Sequence, residues 1–306
     1  MTQSKDLTTP SSGILTERRK TLKTLASIAA AAPVMMLAGC GGGSGSTAAS
    51  SSGSTATGSS GTSTGTGGTS TGTTVTADNG SWLSGGTDAM TASFPDDSIF
   101  EDSASCTVQL TGQQTEGPCY FDSDYLDDIS EGQTGLPMQL CLQLTDASCN
   151  PLVGYEIEVW HCDVEGIYSG DTTGSSDTNG FNSSFCTGND AEALQSRWFR
   201  GIAVTDSSGR VNFATCFPGW YASRAIHIHF RVKNNNNDQL ISQFGFDDDF
   251  CTEICTSHSD YINHGAPDTL LARDTVFGSD YDEYLFNLEQ NEDGSLLAYK
   301  RIMISA

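Results

Sequence analysis

RAIHIHF, residues 224–230, sets two of the chain's five histidines two positions apart inside an apolar run. Side chains alternate between the two faces of a strand. Ile226, Ile228, Phe230 and Val232 therefore share one face, and His227, His229, Arg231 and Lys233 share the other. The first set reads as core. The second sets two imidazoles side by side, their Cα atoms about 7 Å apart by strand rise. That spacing suits two neighbouring ligands of one metal, or two histidines in an outward polar network.

Working outward from this strand, period 2 recurs. QLISQFGF (239–246) follows across four asparagines and Asp238. In LPMQLCLQL, Met138, Leu140, Leu142 and Leu144 alternate with Gln139, Cys141 and Gln143; in YEIEVWH, Tyr155, Ile157 and Val159 oppose Glu156 and Glu158. WFRGIAVTD (198–206) and RVNFATCF (210–217) flank Ser207-Ser208-Gly209, which predicts a hairpin. A last strand pair is expected around Glu292-Asp293-Gly294, and a short helix over 249–256. The pattern predicts an all-β fold, a single β-sandwich domain with short helical and loop excursions.

The residues near the histidines narrow the chemistry. Tyr221 lies six positions before His227, just past a Pro-Gly turn, and Tyr168 follows the strand ending in WHCDVEG. Phenolate and imidazole together form a hard-to-borderline ligand set that suits Fe(III). The bland reading of either tyrosine is a core or pocket residue. His161 reads as a structural hydrogen-bonding group, and His258 and His264 read as solvent-facing loop residues. Trp160, Trp198 and Trp220 read as core or pocket wall, and Asp247-Asp248-Asp249 as a solvated turn.

Five segments stand together in order: EGPCYF (116–121), VWHCDVEGIYSG (159–170), WFRGIAVTDSSGRVNF (198–213), PGWYASRAIHIHF (218–230) and ISQFGFDDD (241–249). In this set the chain resembles the intradiol ring-cleavage dioxygenases, the family of catechol 1,2-dioxygenase and protocatechuate 3,4-dioxygenase, across most of 115–306. It is most similar to small, exported, single-chain members, with no counterpart of the helical dimerisation region. The resemblance implies a mononuclear, non-haem Fe(III) held by Tyr168, Tyr221, His227 and His229. Tyr221 and His229 would be the axial pair, Tyr168 and His227 equatorial, with a hydroxide completing the site. It implies catalytic roles for Arg224, Tyr221 and Gln243. The implied reaction is cleavage of a catechol-type ring by O₂ to a cis,cis-muconate-type product, with small aromatic substrate and O₂ as partners and no external reductant. Cys119 and Cys216 stand where the family pattern leads one to expect apolar or aromatic residues, and Cys251 and Cys255 are additional.

The N-terminus reads as an address. ERRKTLK (17–23) precedes the apolar run 25–40, which is short for a membrane span. LAGC (37–40) resembles a lipobox that would make Cys40 a lipid anchor, and thus the only membrane contact. Arg18-Arg19 resembles a twin-arginine signal, with Thr21 where that pattern has Phe; a general secretory signal is the other reading. The expected organisation is an export signal over 1–40, a Gly/Ser/Thr-rich flexible linker over 41–94, and one catalytic domain over 95–306. The expected location is periplasmic or cell-surface, membrane-tethered.

Formal charge is −24, from 14 basic and 38 acidic side chains. Five of the basic and two of the acidic ones lie in the first 40 residues, leaving 9 and 36, or −27. Such a surface repels phosphate backbones and argues against nucleic-acid binding. Nine cysteines follow Cys40, an odd number, and in an exported chain they predict disulfides. Cys141 with Cys149, and Cys106 with Cys119, are the local candidates. Two rival functions remain: a non-enzymatic, transthyretin-like β-sandwich binding module, and a copper or zinc site on the histidine pair. A full Tyr/Tyr/His/His set with Arg224 favours the enzyme, since a binding module has no need of all five.

Overall fold

A computed structural model describes residues 81–101, 110–171, 183–221 and 223–305. The expected export signal with Cys40, the expected linker up to residue 80, and Cys106 lie outside them. The described strands are β1 (Pro137–Asp146), β2 (Glu156–Trp160), β3 (Arg200–Val204), β4 (Arg210–Cys216), β5 (His227–Asn234), β6 (Asn237–Gly245), β7 (Asn287–Gln290) and β8 (Leu296–Ile304). They form two four-stranded sheets, ordered β4-β1-β8-β7 and β3-β2-β5-β6. The β1–β8 pair is parallel and the other pairs are antiparallel. The architecture is the expected β-sandwich.

Alternation builds the core. Met138, Leu140, Leu142 and Leu144 of β1 share one buried cluster with Ile157 and Val159 of β2 and Ile228, Phe230 and Val232 of β5. Phe230 stacks on Phe244 of β6, ring centroids 4.5 Å apart. Each such side chain contributes about 1.5–3 kcal/mol on leaving water.

The outer face of the β1 sheet is covered as well. Gln139 and Gln143 are buried, and their amides donate to Ala92 O and Ser208 O. The Gln139 contact corrects the linker boundary. Leu83 N donates to Gly294 O, Trp82 packs edge-on to Phe250, and Asp293 accepts from the backbone N–H of Thr91 and Ala92. The packed domain therefore includes 82–94, which composition alone assigned to linker.

The expected hairpin over 198–217 is also corrected. The turn exists, closed by Asp206 N to Arg210 O and Gly209 N to Asp206 O, both 3.0 Å. Its arms, however, join different sheets: β3 pairs with β2, and β4 with β1. Turn residues fix a reversal of the chain, whereas long-range pairing decides which sheet each arm enters.

Among the described residues two α-helices flank the sheets: α1 (Ser183–Cys186) and α2 (Asp248–Ser257). Asp247–Asp249 is not a free solvated turn. Asp247 caps α2, its carboxylate accepting from the N–H of Asp249 and Phe250, and Asp248 accepts from Leu271 N. The solvent-facing reading of two histidines fails likewise. His258 is buried with Nε2 against Leu83 O, and His264 Nε2 donates to Trp220 O at 2.8 Å.

Neither local cysteine pairing holds. Cys119 bonds Cys186, 67 residues away, and Cys149 is also disulfide-bonded. Cys141 sits in the middle of β1 as a buried free thiol. Cys162, Cys216, Cys251 and Cys255 are likewise free and buried.

Candidate active site

Strand register assembles the site on the outer face of the β3-β2-β5-β6 sheet. His229 is paired with Gln243 on β6 and with Trp160 on β2, and Trp160 is paired with Arg200 on β3. Directly opposed residues point the same way. Gln243, His229, Trp160 and Arg200 thus form one row across four strands, all buried. His227 stands one pleat away, opposite Gly245.

The two imidazoles converge as the HxH spacing predicts. Their Nε2 atoms are 3.0 Å apart. His227 Nδ1 lies 2.6 Å from Ala225 O. A carbonyl can only accept, so Nδ1 carries the proton and Nε2 presents a lone pair. Trp160 lies flat on His229, with centroids 4.9 Å apart and planes 7° from parallel. On another side stands Gly117, at φ +79°, where a Cβ would come within 3.0 Å of His229 Cε1. Burial, reinforced by Arg224, drives the pKa of His227 down to about 3. Burial and the neighbouring His227 hold His229 well below the usual range. Both rings are therefore neutral and available as ligands.

The two tyrosines arrive from loops. Tyr168 N–H donates to Cys186 O at 2.7 Å, fixing its backbone to α1. The ring is 1% exposed, and its buried Oη has no hydrogen-bond partner. Tyr221 packs edge-on to Tyr168 at 5.6 Å, and its Oη lies 3.5 Å from His227 Nε2. Gly166, at φ +79°, allows the Tyr221 loop to approach, since a Cβ there would meet Trp220 O at 2.1 Å. Burial raises the pKa of both phenols, and for Tyr221 the Arg224 cation pulls the other way.

Arg224 is aimed by its partners. Its Nε donates to Asp274 Oδ2 at 2.8 Å, Nη1 to Tyr221 Oη at 3.3 Å, and Nη2 to Gln243 Oε1 at 2.6 Å. Asp274 also accepts from Ala225 N. Burial alone would raise the pKa of Asp274, but these hydrogen bonds and the Arg224 charge hold it below the usual range. Gln243 has both amide ends engaged, its Nε2 donating to Thr115 O.

All six residues singled out from sequence, Tyr168, Tyr221, His227, His229, Arg224 and Gln243, are thus brought together. Asp274 and Arg200 were not foreseen as parts of the site. Asp274 lies 50 residues from Arg224 and has no local signature. Arg200 carried one signal, an arginine in an apolar strand segment. His161 is structural as expected, held between Cys162 O and Thr215 Oγ1, and burial lowers its pKa to about 4.

This donor set fits a metal. The two imidazole Nε2 atoms face each other 3.0 Å apart, one phenol oxygen lies beside them, and a second is buried without a partner. Among the described residues no cluster of three His, Cys, Asp or Glu side chains forms a metal site. A metal held here would therefore rely on the phenols, which favours a hard trivalent ion such as Fe(III).

Comparison with known proteins gives the same picture. The family model described as "Dioxygenase" matches residues 115–289, more than half of the chain. Catechol 1,2-dioxygenase 1 of Acinetobacter lwoffii is 25% identical over 165 residues, covering 45% of this chain and 47% of that protein. The chain thus spans about half the length of this curated relative. An intradiol ring-cleavage dioxygenase of Tetranychus urticae superposes with a TM-score of 0.54 at 27% identity, covering 64% of this chain and 95% of that one. A second dioxygenase crystal structure gives 0.55 at 27% identity, covering 65% and 95%. By the family match and by this fold, the chain belongs to the intradiol ring-cleavage dioxygenase family.

Proposed function

We propose that this protein is an Fe(III)-dependent dioxygenase that opens a catechol-type ring between its two hydroxylated carbons, both atoms of O₂ entering a cis,cis-muconate-type product. Tyr168, Tyr221, His227 and His229 hold the ion. The observation that carries this reading is their convergence: two imidazole Nε2 atoms 3.0 Å apart, Tyr221 Oη 3.5 Å from one of them, and the unpartnered Oη of Tyr168. A ferric ion there supplies Lewis acidity towards an ortho-diol and makes its ring reactive towards O₂.

The chain's own groups do the rest. Tyr221 is the less buried phenol, and its Oη is the group placed to accept a proton from a substrate hydroxyl. Arg224 Nη1 stands beside that oxygen and steadies negative charge developing on the substrate. Asp274 holds the guanidinium in that pose, so little reorganisation is needed during reaction. Gln243, pinned at both amide ends, forms a fixed polar wall that orients the substrate. Trp160 and the buried row keep water away from the imidazoles. The sequence of the N-terminus supports export and tethering through a lipid on Cys40.

The test is metal analysis and a visible spectrum of the purified full chain, before and after catechol is added. The expected result is near one iron per chain and a reddish phenolate-to-Fe(III) band that shifts with catechol. A colourless protein that takes up no Fe(III) on reconstitution would overturn the reading and leave the β-sandwich binding module.

A further inference from the structure

Arg200 ends the buried row and has no obvious business there. It is 1% exposed. No carboxylate among the described residues stands within ion-pair distance of it. Glu158, one pleat away on β2, is engaged by Lys233 and Tyr120. An isolated cation in a protein interior is costly unless opposite charge meets it. Hydrogen bonds soften that cost in part. Arg200 Nε donates to Ser169 O and Oγ, and Nη2 donates to Cys119 O and Ser169 O, both at 2.7 Å. Nη1 is buried with no partner.

Tyr168 is the neighbour that accounts for this arrangement. Arg200 Cζ lies 5.9 Å from the centroid of its ring. The fork grips Ser169, the next residue in the chain, together with Cys119, whose disulfide reaches Cys186, the residue whose carbonyl holds Tyr168 N–H. Every contact of the guanidinium thus bears on the loop that presents this phenol. The phenol oxygen and the Nη1 group are both buried and both unpartnered. A phenol bound to a trivalent cation carries a negative oxygen, the kind of charge that none of Arg200's direct partners supplies.

We propose that Arg200 is a positioning residue for Tyr168: its fork fixes the backbone that presents the phenol, and its charge answers the negative oxygen Tyr168 bears as a metal ligand. This rests on the ferric site proposed above. The role is distinct from that of Arg224, which touches Tyr221 and the substrate side of the site.

The test compares wild type with Arg200→Lys, Arg200→Gln and Arg200→Met in the full chain, loaded from Fe(III) nitrilotriacetate. Iron affinity and the position of the phenolate-to-Fe(III) band are measured, and circular dichroism monitors the fold. The two neutral variants are expected to bind iron about tenfold more weakly, the usual scale for losing a partner behind a ligand. Their band should move to longer wavelength, because a phenolate without its neighbouring cation gives up charge more readily. Lys keeps the charge and should hold the band near its wild-type position. The proposal is overturned if a folded neutral variant matches wild type in affinity and band, or if Lys shifts the band as far as Gln. It is overturned too if neither neutral variant folds, since the charge would then serve the fold and not the ligand. Failure of wild type itself to bind iron would sink the ferric reading, an outcome distinct from all of these.

Discussion

The two faces of the β3-β2-β5-β6 sheet come from alternate residues of the same strands, and they are built on different terms. On the inner face, Ile228, Phe230 and Val232 share one cluster with residues from many other elements. Apolar contacts are non-directional, so no single partner decides the position of any one of them. On the outer face, His227, His229 and Gln243, with Arg224 just ahead of β5, are each held by one to three named atoms at fixed distances. The inner face sets how stable the sheet is. The outer face sets what it can do. A change on one should leave the other largely untouched.

That separation can be broken most sharply at His229. His229→Ala should abolish the coloured iron site while circular dichroism stays unchanged, because a neutral buried ring is replaced without touching the core. Metal analysis of the folded variant decides it; full iron occupancy would mean that the ligand set is wrong. Phe230→Ala, the next residue, tests the opposite case. It should lower stability by about 3–5 kcal/mol, read from chemical denaturation, with iron per folded chain preserved. Loss of iron at temperatures where Phe230→Ala remains folded would show the two faces to be coupled.

Smaller effects sharpen the picture. Asp274→Asn should leave iron bound but lower kcat by about 10- to 100-fold, since Arg224 loses its charged anchor while the four proposed ligands remain. A rise in KM with kcat unchanged would instead assign Asp274 to substrate binding. The smallest effect lies far from the site, at Asp293. Burial would raise the pKa of this carboxylate, but hydrogen bonds from Ser295, Ala92 and Thr91 together hold it well below the ordinary range. A depressed carboxylate stabilises the fold above its unfolded pKa of about 3.9, and the contribution fades as pH falls towards its folded value. The melting temperature of wild type should therefore exceed that of Asp293→Asn at pH 7, the gap closing below about pH 4. A gap independent of pH would mean that the contact does not act through charge.

What was legible in the sequence was what depends on near neighbours. The alternation in RAIHIHF gave both faces of β5, and the short helix expected over 249–256 matches α2 to within a residue at each end. Family motifs brought Tyr168, Tyr221, Arg224 and Gln243 to the same site as the histidines. What depends on distant pairing was hidden. The Ser207-Ser208-Gly209 turn looks the same whether its arms share a sheet or part into two. Cys119 gives no sign of a partner 67 residues on. His258 and His264 sit in polar sequence, yet each meets a carbonyl from elsewhere in the chain. Composition misjudged 82–94 because a segment can dock through its backbone whatever its side chains, as Leu83, Thr91 and Ala92 do.

The five buried free thiols among the described residues make the molecule its own reporter of opening. Thiolate is the species that attacks disulfides and alkylating reagents. Burial pushes the Cys141 thiol up to about 11 and Cys255 up to about 12, and holds Cys162, Cys216 and Cys251 well above their ordinary range. Each sulfur is therefore silent until its surroundings part. They are spread over β1, β4, α2 and the loop after β2, so the rate at which each is labelled times the opening of a different region. Equal rates at all five would mark a sandwich that opens only as a whole. A faster pair on α2 would mark a helix that lifts while the sheets stay closed.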